Sequence, residues 1–147
     1  MVVDYLQLCT PEDTRAPREQ QVAAMSRGFK LLAKELGVPV LLLAQLNRRS
    51  ENSGGSPALS DLRESGAIEQ DADIVIFLHQ ARKDWHSDEP VQVIVAKGRS
   101  SGVGREYLVF RRRLQRFEES TAPEFKEAEA EEAAAQHWTE REQGALI

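Results

Sequence analysis

Apolar residues at Val22, Met25, Phe29, Leu32 and Leu36 advance by steps of 3, 4, 3 and 4 positions, which draws one face of an amphipathic helix over Arg18 to Leu36. Gly37 stands where such a helix stops. Val38 to Ala44 (VPVLLLA) is then an almost wholly apolar run of strand length, its proline near the start, where a missing N–H is cheapest. Met1-Val2-Val3 runs into Asp4 in the same manner, as a buried parallel strand does when it delivers an acid to its C-terminal edge. Asn47 to Ser60, rich in Asn, Ser, Gly and Pro and carrying two arginines, predicts a mobile loop. Asp61 to Gln70 predicts a short helix or an ordered turn. Ala72 to His79 (ADIVIFLH) and Val91 to Ala96 (VQVIVA) predict strands, and Glu106 to Phe110 with Leu114 to Phe117 a terminal hairpin.

The order is therefore strand, helix, strand, loop, strand, strand, hairpin. Early alternation of helix with apolar strands predicts an α/β fold with a mostly parallel sheet and late strands added at its edge. Three residues before Asp4 is short for a buried strand, which runs about five or six. The expectation is part of a sheet whose upstream half comes from elsewhere, leaving one edge and one apolar face open.

Composition narrows the class. A chain of 147 residues sets a prior of about one domain. Charged residues at 29% and apolar ones at 41% suit a globular core. No segment reaches the roughly 18 uninterrupted apolar residues of a membrane helix, and MVVDYLQLCTPED does not read as a secretory signal. The expected compartment is the cytoplasm. Cys9 is the sole cysteine, which excludes an internal disulfide or a multi-cysteine zinc site. The net charge of −5 is unevenly spread: residues 1–117 carry 17 Lys+Arg against 15 Asp+Glu, residues 118–147 only 2 against 9. The acidity thus belongs to a tail over 118–147, expected to be disordered or partly helical, with little apolar surface to bury.

Several strand ends carry candidate chemistry. Asp4 lies where open α/β sheets place their ligands, and a carboxylate there can hold Mg²⁺ on a nucleotide's phosphates; a strand-end Asp that caps a turn has the same pattern. Gln45 repeats the arrangement after VPVLLLA, with an amide that can sense a phosphate oxygen or orient a water. Lys97-Gly98-Arg99 leaves VQVIVA with two cations that lean the same way if strand alternation persists. Such a pair can neutralise charge on a transferred phosphoryl group, or be a basic hairpin turn. Arg48, Arg49 and Arg63 sit in or beside polar loops that can approach a nucleic-acid backbone, although single surface arginines are common. Arg111, Arg112, Arg113 and Arg116 form a denser run that a hairpin would split between faces, as a solvated edge with some phosphate affinity. His79, His86 and His137 have no metal-ligand spacing, and no G-x-S-x-G elbow supports a Ser/His/Asp triad.

Four strings decide more than periodicity does. VVDYLQL at 2–8, LLLAQLNRR at 41–49, SDLRESGAIEQDADIVIFLH at 60–79 and VIVAKGRSSGVG at 93–104 occur in this order and spacing. Together they resemble the C-terminal RecA-like motor domain of bacterial and phage replicative DNA helicases of the DnaB type, over about residues 1–117. The resemblance implies a partial RecA-like P-loop NTPase core. It implies that Asp4 is the Walker B aspartate holding Mg²⁺, and Gln45 the glutamine that senses the γ-phosphate and couples it to DNA. It implies that the loops from Arg48 to Pro57 and Asp61 to Gln70 line a central channel, with Arg63, Glu64 and Gly66 in the segment that holds single-stranded DNA. Lys97 and Arg99 match the lysine and arginine finger that reach the neighbouring subunit's nucleotide. Implied cofactors are ATP and Mg²⁺; implied partners are single-stranded DNA, the other subunits of a homo-hexamer or a complementing helicase half, primase and a helicase loader.

The chain also departs from that family, since no G-x-x-x-x-G-K-[ST] occurs in it. The backbone phosphate cradle, its lysine and the Mg²⁺-binding hydroxyl are missing, and Asp4 alone cannot hold MgATP tightly. The family's upstream catalytic glutamate and primase-binding domain are missing too. The expected reading is a fragment of an ATP-dependent replicative DNA helicase that is not catalytically competent by itself. The alternative is a non-enzymatic module that binds DNA or docks onto an intact helicase ring. A RecA-like recombinase shares the fold but accounts less well for DLRESGAIEQDAD.

Overall fold

A computed structural model describes residues 1–46, 56–80 and 88–130. The chain divides into two compact units, Met1–Val75 with Lys97–Ser100 and Ile76–Ala96 with Ser101–Ile147.

In the first unit, strand β1 (Val2–Val3) pairs in parallel with β2 (Leu41–Leu42), in the register Val2 to Leu41 and Val3 to Leu42. Helix α1 (Arg18–Leu36) connects them, as the apolar spacing predicts. Its C-cap is Gly37 at φ 63°, a left-handed conformation that glycine adopts without Cβ strain. The predicted strand over Val38 to Ala44 is shorter as a ladder, because β1 offers only two partners. Bonds on either side lengthen the pairing: Leu41 N–H donates to Met1 C=O (2.9 Å), Leu43 N–H to Val3 C=O (3.0 Å), and Leu6 N–H to Leu43 C=O (2.8 Å). Leu6, fully buried, anchors the single 3₁₀ turn Leu6–Leu8 that follows β1. A 3₁₀ segment (Leu59–Ser65) runs into the short helix α2 (Gly66–Asp71), against which α1 packs. The buried stripe of α1 holds Val22 and also Ser26, whose hydroxyl donates to Asp71 Oδ2 at 3.1 Å, while Arg27 pairs with Asp71 Oδ1 at 3.0 Å. A polar residue enters the stripe because its hydrogen bond is met there.

A four-stranded sheet runs in the order β3 (Ile74–Gln80), β4 (Glu89–Gly98), β5 (Gly104–Arg111), β6 (Arg116–Glu119). β4 pairs antiparallel with β5, and β5 with β6. The early strands thus form a parallel pair and the late ones a meander, an α/β fold with both kinds of pairing. Gly102, at φ 76°, turns the chain between β4 and β5.

In the second unit, one face of this sheet carries His79 and Tyr107, and residues 122–130 form a helix, α3, on it. Phe125 and Ala128 of α3 are each only 2% exposed and pack against Tyr107. The Phe125 ring lies 5.7 Å from both the His79 and Tyr107 rings, and His79 Nε2 is 3.5 Å from Glu129 Oε1. Residues 122–130 are thus helical within the stretch expected to be disordered or partly helical, and Phe125 with Ala128 supplies the small apolar surface that seats the helix. Residues 131–147, the rest of the predicted tail, lie outside the described residues.

Elsewhere in the second unit, Glu89 is 1% exposed and accepts from Arg112 and, at 3.2 Å, from Gln80 Nε2. Arg111 pairs with Asp88 (3.1 Å) and Glu118 (2.8 Å), and Arg116 also reaches Glu118. Three members of the arginine run are therefore matched by carboxylates of the same unit, which lowers their availability to phosphates. On β3, Ile74, Ile76 and Leu78 are 52%, 52% and 60% exposed, while Val75 and Phe77 between them are buried. An edge strand that is apolar on both faces has the composition of an interior strand.

Candidate nucleotide and nucleic-acid site

The site residues described below belong to the first unit. Because β1 and β2 are parallel, their C-terminal ends reach the same edge, where Asp4 and Gln45 emerge. Both line one open depression of about 380 Å³ with Tyr5, Leu43 and Ala44. Pairing of Leu6 with Leu43 continues past Asp4, so the chain turns sharply there and leaves the carboxylate at the rim. Gln45 is fixed through its main chain: Gln7 Nε2 donates to its carbonyl and Gln7 Oε1 accepts its N–H, both at 3.3 Å. Gln7 lies within VVDYLQL, yet no spacing singled it out. The signal available was a second amide on the short turn after the Asp4 strand end.

Lys97 lies near the C-terminal end of β4 and Arg99 just beyond it. Lys97 Nζ donates to the Glu69 carbonyl in α2, and Arg99 Nη1 lies 3.1 Å from Asp73 Oδ1. Arg99 N–H also donates to the Asp73 carbonyl at 2.8 Å. Lys30 of α1 takes the other Asp73 oxygen, Oδ2. That hydrogen bond, with the charges of Lys30, Arg99 and Lys97, holds the Asp73 carboxyl below its usual range. Sequence reasoning passed over Lys30 and Asp73; an acid immediately before a strand and a lysine on a helix's buried side were the traces.

Arg63 and Glu64 lie in the 3₁₀ segment Leu59–Ser65, and Gly66 begins α2. Arg48 and Arg49 lie outside the described residues. The structure thus brings Asp4 and Gln45 to one depression, and Lys97 and Arg99 to the α2–β3 junction. Asp61 orders the start of the 3₁₀ segment, its Oδ2 accepting Ala58 N–H at 2.7 Å. Among the described residues, no group of three or more His, Cys, Asp or Glu is placed to hold a metal. Among the described residues, Asp4 is the only carboxylate lining the depression, and Mg²⁺ takes one or two protein carboxylates while phosphates and waters complete its shell.

The same stretch of chain is matched at family level: the model described as DnaB-like helicase C terminal domain covers residues 1–119. The chain belongs to the DnaB-like helicase C-terminal domain family. The replicative DNA helicase DnaB of Leifsonia xyli subsp. xyli is 46% identical over 122 residues, covering 80% of this chain and 26% of that protein. That of Treponema pallidum is 44% identical over 115 residues, covering 78% and 25%. A solved DnaB-like replicative helicase, described with its interactions with primase, superposes at TM-score 0.69 with 43% identity, over 76% of this chain and 28% of that one. A solved ATPase domain superposes at TM-score 0.73 with 40% identity, over 82% and 44%. These neighbours place the α/β fold with the RecA-like ATPase domains of DnaB-like helicases. The chain spans about a quarter of the length of these two curated relatives. Helix α3 lies beyond the matched residues. Among the described residues, no helix is long and apolar enough to cross a membrane.

Proposed function

We propose that the chain is the C-terminal, DNA-facing part of an ATP-dependent replicative DNA helicase, which translocates on single-stranded DNA and unwinds duplex at the fork in the cytoplasm. The observation that carries this reading is the shared depression of Asp4 and Gln45 at the end of the parallel pair, within a chain of this family. Asp4 would hold Mg²⁺ on the nucleotide, and bound Mg²⁺ neutralises charge on the phosphates. Gln45, its main chain held by Gln7, presents an uncharged amide to sense a phosphate oxygen. Lys97 and Arg99 reach the nucleotide of an adjacent subunit in a homo-hexamer or complementing half and neutralise charge as it develops; such a finger is worth roughly 10³ to 10⁵ in rate. Arg48, Arg49, Arg63, Glu64 and Gly66 form the DNA-facing set, and primase and a loader act on the assembled ring. With no phosphate-cradling loop among its 147 residues, the chain alone does not turn over ATP.

The test is binding of a labelled single-stranded oligonucleotide at 50 and 200 mM salt, with oligomeric state measured in the same samples. Two to three phosphate contacts weaken affinity about tenfold across that range. Arg63→Ala weakens it further. Absence of binding at the lower salt, or affinity indifferent to both salt and Arg63, overturns the reading.

A further inference from the structure

Asp73 touches Arg99 twice, once through each kind of group. Its carbonyl accepts the Arg99 N–H at 2.8 Å, and its carboxylate meets the Arg99 guanidinium at 3.1 Å. The first contact fixes where the Arg99 main chain leaves β4. The second fixes where the side chain points. The remaining carboxylate oxygen is taken by Lys30, so one anion stands among three cations, with Lys97 the third.

Exposure decides what such an arrangement can do. The Arg99 and Asp73 side chains are 58% and 57% exposed. An ion pair in that setting is weak and exchangeable. A guanidinium offers five donors in a fixed fork that suits phosphate, and Asp73 Oδ1 meets it through Nη1 alone. A polyphosphate carries more charge than one carboxylate and competes for the same cation. Lys30 competes from the other side by neutralising the carboxylate, which lowers its hold on Arg99.

We propose that Asp73 is a positioning residue for Arg99: a counter-ion that holds the guanidinium while no phosphate is present and releases it when a phosphate arrives. This rests on the reading that Lys97 and Arg99 take phosphates. Lys30 sets how readily the exchange occurs.

The experiment is a titration of the full 147-residue chain with inorganic pyrophosphate, followed by NMR at the Arg99 Nε, Lys97 Nζ and Asp73 Cγ resonances. The expected result is binding about two- to fivefold tighter in Asp73→Asn than in the wild type, the effect of losing one exposed competing pair. Asp73→Glu, which keeps the charge, binds as the wild type does, and Arg99→Ala binds more weakly. In the wild type, the Asp73 Cγ resonance moves at the same pyrophosphate concentration as Arg99 Nε, a readout that needs no variant to fold. Equal affinity in wild type and Asp73→Asn, or an Asp73 resonance that stays still while Arg99 moves, overturns the exchange and leaves phosphate capture standing. Pyrophosphate that moves neither Lys97 nor Arg99 in either protein overturns both.

Discussion

The side-chain amide of Gln7 bonds both main-chain polar groups of Gln45, donating to the carbonyl and accepting from the N–H at 3.3 Å each. A residue on the turn after β1 thereby fixes one on the exit from β2, which keeps the Gln45 side chain beside Asp4. The bonds are long and solvent-facing, so each stands at the low end of the usual range.

Gln7→Ala is expected to loosen Gln45 by about 0.5 to 1 kcal/mol, with little effect on global stability. Native-state hydrogen exchange at the Gln45 amide reads this directly. An unchanged exchange rate would mean that the β1–β2 pairing alone holds the residue.

Glu89 is a buried carboxylate served by Arg112 and Gln80. Removing a partner from a buried ion pair costs more than removing the pair, because the remaining charge keeps its desolvation penalty. Arg112→Met is expected to destabilise the chain by about 3 kcal/mol in urea denaturation. Glu89→Gln combined with Arg112→Met should recover much of that loss, a non-additivity that a double-mutant cycle quantifies.

Phe125 seats α3 between His79 and Tyr107. Phe125→Ala removes nearly the whole apolar contact of a short helix, worth about 3 kcal/mol at a fully buried site. The expected result is loss of exchange protection over residues 122–130 while β4 and β5 retain theirs. If protection falls across the sheet as well, α3 belongs to the cooperative core.

Acid should weaken three exposed contacts together. Hydrogen bonds from Lys30 hold Asp73 below 3.8, those from Arg111 and then Arg116 hold Glu118 below 4.5, and those from the Ser120 hydroxyl and the Thr121 N–H hold Glu124 below 4.5. Each carboxyl is more acidic folded than unfolded, so its contribution is complete above the unfolded value and is lost as pH falls through the folded one. The stability difference between wild type and the triple variant Asp73→Asn, Glu118→Gln, Glu124→Gln should therefore be constant above about pH 5 and shrink below pH 4.5. Urea melts across that range measure it. A difference that grows on acidification would contradict these pairings.

Much of this was legible along the chain, for local reasons. The spacing of Val22, Met25, Phe29, Leu32 and Leu36 marks α1 because a helix has one dominant period, and Gly37 ends it because only a left-handed residue closes that turn cheaply. Asp4 and Gln45 were legible as strand ends, since each is the first polar residue after an apolar run. What the sequence hid depends on distant partners. Ser26 enters the buried stripe because of Asp71, 45 positions away, and Gln7 matters because of Gln45, 38 positions away. The start of α3 did carry a local mark. Thr121-Ala-Pro-Glu124 has the capping-box pattern, and one of its two bonds is made: Glu124 Oε2 accepts Thr121 N–H at 3.1 Å. Acidic composition concealed it, and whether Phe125 found a partner rested on His79 and Tyr107 far upstream.

Among the described residues, strand β3 stands at the edge of its sheet, with Ile74, Ile76 and Leu78 more than half exposed. A strand edge flanked by aliphatic side chains is a template for pairing with another chain. An element that binds this strand in the folded chain and not in the unfolded one would stabilise the fold by mass action, so the apparent stability would rise with the concentration of that element.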